Sequence, residues 1–104
     1  MASDRGRLGD LLHLHREMAC TRAEFMSWLP GATRHAPIHI RGDVLTITIG
    51  GGTVQITLEE SVPRRAGQLT LPTLQVSMRF SGVDEVKRSD FIKYFDLYTR
   101  RGGG

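Results

Sequence analysis

Apolar positions in the first third of the chain recur at spacings of three and four. Leu8, Leu11, Leu12, Met18, Ala19, Phe25, Met26 and Leu29 share one helical face, with His15 and Arg22 interrupting the stripe midway. This spacing predicts helix up to Leu29, either as one long bent helix or as two helices meeting near Cys20. Thr21 followed by Glu24 is a capping-box pattern, in which each side chain satisfies a backbone N–H of the other residue. Pro30-Gly31 ends the helical pattern under either reading.

The period then changes to two. Pro37 to Arg41, Val44 to Ile49 and Thr53 to Glu59 alternate apolar and polar residues and are rich in Ile, Val and Thr, which predicts strands. Gly42-Asp43 suits a tight hairpin turn with positive φ, and Gly50-Gly51-Gly52 supplies a second, looser one. Ser61 to Gly67 reads as a polar connection. A fourth run begins at Leu69 and Leu71 and continues through Leu74, Val76, Met78 and Phe80. Pro72 interrupts it; having no ladder donor, it marks an edge or a bulge. After Ser81-Gly82, Ser89 reads as the N-cap of a last helix with Asp90 in its first turn. Phe91, Ile92, Phe95 and Tyr98 form its apolar stripe, with Lys93, Asp96 and Arg100 facing away.

The expected fold is α+β. It is an antiparallel three- to four-stranded meander sheet, or a half-open barrel, covered on one face by an N-terminal and a C-terminal helix. At 104 residues the chain is one domain, 1–104, with 1–7 and 101–104 expected to be flexible. No apolar run approaches the ~20 residues of a membrane span. The first ten residues carry no secretory pattern, and the single Cys20 fits a reducing compartment, so the expected location is cytoplasmic.

A net charge of +3 admits an anionic partner without demanding one. Arg64 with Arg65, Lys87 with Arg88, and Arg100 with Arg101 would form one anion-binding patch if the 64–65 segment and the last helix lay at the same end of the sheet. Nucleic-acid-binding sheets usually present stacking aromatics, and here the strands carry only Phe80, on the apolar face. The tail Arg100-Arg101-Gly102-Gly103-Gly104 resembles that of ubiquitin-like modifiers and sulfur carriers. Those proteins enter the tail from a strand and end in two glycines, so the resemblance stops at the tail and assigns no role.

His13 and His15 would point about 200° apart on a helix and would share a face only in an extended segment. No metal site is expected from them, and no cofactor fingerprint is present. Cys20 reads as a small apolar packing residue. No catalytic frame is recognisable, and His35, His39, Asp43 and Glu59 would make a site only by converging in space. Trp28 lies off the main helical stripe, and with Met26 and Tyr94 it reads as a contact surface for a protein partner or a second copy. The leading expectation is therefore a self-associating or partner-binding interaction module. A weak binder of nucleic acid or a nucleotide is the alternative, and an enzyme of unrecognised type comes third.

Overall fold

The computed structural model describes residues 13–100. They form strand β1 (His13–Met18), helix α1 (Arg22–Ala32), strands β2 (Ile38–Arg41), β3 (Val44–Ile49), β4 (Gly52–Ala66) and β5 (Leu69–Ser81), and helix α2 (Glu85–Arg100). The five strands make one open antiparallel sheet in the order β1-β5-β4-β3-β2. The class is the α+β one expected, but the sheet is larger by one strand and is not a barrel.

The extra strand lies where helix was expected. His13, His15 and Glu17 alternate with Leu14, Arg16 and Met18, and β1 pairs with β5 from His13↔Arg79 to Met18↔Leu74. The period-two signal is disguised because its inward row carries a charge: Arg16 reaches Asp96 of α2 at 3.2 Å. Leu8, Leu11 and Leu12, which suggested the helical period, lie outside the described residues.

Helix α1 starts where the capping box placed it. Thr21 accepts from the Glu24 amide at 3.0 Å, and the Glu24 carboxylate accepts from the Thr21 amide at 2.8 Å. Pro30-Gly31 does not stop the helix, which runs on to Ala32. Gly31 lets the Tyr98 ring of α2 lie against the helix, since a Cβ there would overlap the ring and displace it. Helix α2 begins at Glu85 rather than beyond Ser89, with the Asp84 carboxylate accepting from the Lys87 amide at 2.8 Å.

Both helices pack on the sheet face lined by Leu45, Ile47, Val54, Ile56, Leu58, Leu74, Val76, Met78 and Phe80. Phe25 of α1 and Phe91 and Phe95 of α2 close the core, with ring centroids 5.7–6.1 Å apart along Phe80–Phe91–Phe95–Phe25. The opposite sheet face is polar. There His15 Nε2 lies 2.6 Å from Gln75 Oε1, while the Gln75 amide donates to Glu17 and Ser61, each at 3.2 Å.

The turns at Gly42 and Gly50 have φ of +61° and +56°, as their sequence required. Ser61 to Ala66, by contrast, is strand rather than connection, and the turn is confined to Gly67 and Gln68. β4 and β5 stay paired to Ala66↔Leu69, with a register shift between Ser61 and Arg64 that absorbs Pro63 and Pro72. No described helix is long and apolar enough to cross a membrane.

Candidate functional site

The β4–β5 hairpin outruns its neighbours. β3 stops pairing with β4 at Val44↔Thr57, and β1 stops pairing with β5 at Met18↔Leu74. Beyond those points the two strands form a ribbon whose outer backbone edges have no described partner strand. The molecule is accordingly elongated, 52 × 29 × 25 Å. The ribbon holds exposed apolar side chains: Val62 is 86% exposed and Leu69 66%, with Leu71 beside them. Leu71 stands opposite Arg64, which pairs with Glu17 at the end of β1.

The charge order along the β4 edge reverses itself. Glu59 and Glu60 precede Ser61-Val62-Pro63, and Arg64 and Arg65 follow. A strand laid antiparallel to a copy of itself about Val62-Pro63 brings the acidic pair of one beside the basic pair of the other.

A cleft lies at the opposite end of the sheet. It has a volume of about 290 Å³ and opens between the loop after α1, the β3–β4 turn and the first turns of α2. Ala32 and Phe91 form a buried apolar floor with Ile49, and Arg34, Lys87 and Tyr94 stand at the mouth. The Arg34 guanidinium lies 4.2 Å above the centre of the Tyr94 ring and donates to Asp90 Oδ2 at 3.2 Å. Its backbone sits at φ +56°, followed by His35 at +62°. The local bonds explain this conformation: the Arg34 amide donates to Gly31 O at 3.1 Å and the His35 amide to Pro30 O at 2.7 Å. That pair of bonds is the Schellman ending of a helix, whose first left-handed position is normally glycine.

The residues expected to act together are dispersed. Arg64 and Arg65 lie near the ribbon tip, while Lys87 lies against Gly50, just ahead of the start of β4. Arg64 is twelve residue steps along β4 from Gly52, about 40 Å at strand rise. Lys87 and Arg88 therefore join no patch with Arg64 and Arg65. Arg100 lines a different depression, about 420 Å³, with Arg16, Cys20, Trp28 and Asp96; Arg101 is outside the described residues. Trp28 and Met26 are half-buried against the core; Trp28 lines the depression with Arg100, and Tyr94 lines the cleft.

His13 and His15 do share the open sheet face, because their segment is extended. His39 and Glu59 are on that face too, but two strands and four residues apart, about 16 Å. Asp43 is held by Arg22 at 3.0 Å in the β2–β3 turn, and His35 sits in the loop after α1. Among the described residues no cluster of three or more His, Cys, Asp or Glu is placed to hold a metal ion. Cys20 is buried, and burial, reinforced by the negative charge of Glu24, raises its thiol pKa above the ordinary value.

Arg34 and the ribbon leucines escaped sequence reasoning for different reasons. Arg34-His35 carries no local signal, because the sequence ends the helix at Pro30-Gly31 and only the structure puts its C-cap at Thr33. Leu69 and Leu71 were read correctly as strand, but their exposure depends on where β1 and β3 end. Comparison with family models, curated proteins and solved structures returns no match for this chain.

Proposed function

We propose that the chain is a small interaction module that self-associates through the β4–β5 ribbon. The carrying observation is the ribbon itself: paired strands projecting beyond the sheet, with exposed Val62, Leu69 and Leu71 and an open β4 edge. Solvated ribbons of this kind gain from burying apolar side chains and satisfying edge backbone groups together.

The charge order favours a second copy over an unrelated strand. Pro63, the bulge and the four charges discourage indiscriminate edge pairing. A second copy related by a two-fold axis presents the same patch reversed, and its charges then complement rather than repel. With the bulge counted as one step, Glu60 faces the second copy's Arg65, which is the close charge pairing of the contact; Arg64 is turned the other way, across β5 to Glu17. The contact is short and part of its edge is proline, so the dimer belongs among small interfaces of micromolar affinity.

Sedimentation velocity over a concentration series tests this with two variants. E59R/E60R makes the edge wholly basic and R64E/R65E makes it wholly acidic, so each alone should remain monomeric. Mixed one to one, they should form a heterodimer at concentrations where neither self-associates. Wild-type protein that stays monomeric to near-millimolar concentration overturns the proposal, as does a mixture that behaves as the sum of its parts.

A further inference from the structure

Arg34 occupies a backbone position where glycine is at ease and a side chain is strained. That side chain is nevertheless stacked on Tyr94 and paired with Asp90, at the mouth of the cleft. Lys87 stands on the same rim, folded over Gly50, and among the described residues its ammonium has no ion-pair partner. Two cations against the single carboxylate of Asp90 leave the rim with one net positive charge. The floor beneath is apolar: Ala32 is 1% exposed and Phe91 9%, with Ile49 beside them.

We propose that this cleft is a binding site for a small organic anion, a monocarboxylate on a compact apolar body. The carboxylate would lie between the Lys87 ammonium and the outer N–H groups of Arg34, where charge-assisted bonds are strongest. The apolar body would rest on Phe91, Ala32 and Ile49. At about 290 Å³ the cleft lies at the small end of ligand sites, which selects a single ring or short branched chain. One net positive charge matches a monoanion better than a dianionic phosphate. The site lies at the opposite end of the sheet from the ribbon and does not depend on self-association.

Amide NMR titration of labelled full-length protein with benzoate tests the assignment, with benzylamine and phenyl phosphate as controls at constant ionic strength. Saturable shifts confined to Thr33–Ala36, Thr48–Gly50 and Lys87–Tyr94, with benzylamine inert, are the expected result. K87E, a change at an exposed side chain, should weaken benzoate at least tenfold, and R34G should weaken it severalfold while leaving the fold intact. Benzoate shifts that are absent or scattered over the surface overturn the proposal. So does equal binding of benzylamine, or a K87E variant that titrates like the wild type. Phenyl phosphate binding more tightly than benzoate overturns the monocarboxylate assignment.

Discussion

Replacing Arg34 separates the cost of its backbone from the worth of its side chain. A non-glycine residue in the left-handed region costs on the order of 1–2 kcal/mol, part of which glycine forfeits through its greater freedom in the unfolded chain. Arg34→Gly should therefore recover about 1 kcal/mol. Against that stand the stacking on Tyr94, about 0.5–1 kcal/mol, and the ion pair with Asp90. Both partners of that pair are more than half exposed, so solvent screening leaves it worth only a few tenths of a kcal/mol. The two sides nearly cancel, and R34G should match wild-type stability to within ~1 kcal/mol. Arg34→Ala loses the same contacts and keeps the strain, so it should fall about 1 kcal/mol below R34G, or roughly 4–8 °C in Tm. Urea unfolding followed by Trp28 fluorescence, with matched thermal melts, measures both. An R34A variant as stable as R34G would refute the reasoning, because it would mean that position 34 carries no strain for glycine to relieve.

Other consequences are more direct. His35→Gly, at the second left-handed position, should raise stability by up to about 1 kcal/mol in the same urea assay, because no described side-chain bond is lost. Thr21→Ala removes the helix cap and should cost about 1 kcal/mol, with Thr21→Ser restoring most of it. Phe95→Ala empties the centre of the aromatic row and should cost roughly 3–5 kcal/mol, seen as a collapse of the urea midpoint. Cys20 has its pKa raised in the folded state by burial, so the native protein prefers the neutral thiol. Its contribution is then complete below the unfolded thiol pKa and is lost as pH climbs from there through the folded value. Stability should fall on that alkaline limb, and Cys20→Ala should flatten it; an unchanged limb in Cys20→Ala would assign the loss to other groups.

Fold class was legible because most of the sheet obeys a single rule. Val44–Ile49, Thr53–Leu58 and Leu74–Phe80 alternate cleanly, since one face meets the helices and the other meets water. The rule failed at β1, where the inward row contains Arg16. A long arginine can lie on an apolar face if its head reaches a partner, and Asp96 is eighty residues away in sequence. No local pattern reports that partner. Pro30 misled for a related reason. Its missing N–H costs the helix one bond, but the close approach of Gly31 to Tyr98 holds the last turn in place, and that too is a tertiary fact.

The candidate sites divide along the same line. The charge reversal around Val62 was written in the sequence, yet it means nothing until the ribbon is known to project past β3. Were β3 long enough to follow β4 beyond Thr57 to Arg65, Glu59 to Arg65 would face a neighbour and the reversed order would meet no second copy. The cleft depends instead on three loops meeting at the other end. There the one informative local sign is a residue that the backbone geometry disfavours. Arg34 is held where glycine would serve, and its contacts roughly offset its strain without exceeding it. Stability alone therefore gives no reason for arginine over glycine at this position, and a charge at the mouth of the cleft does.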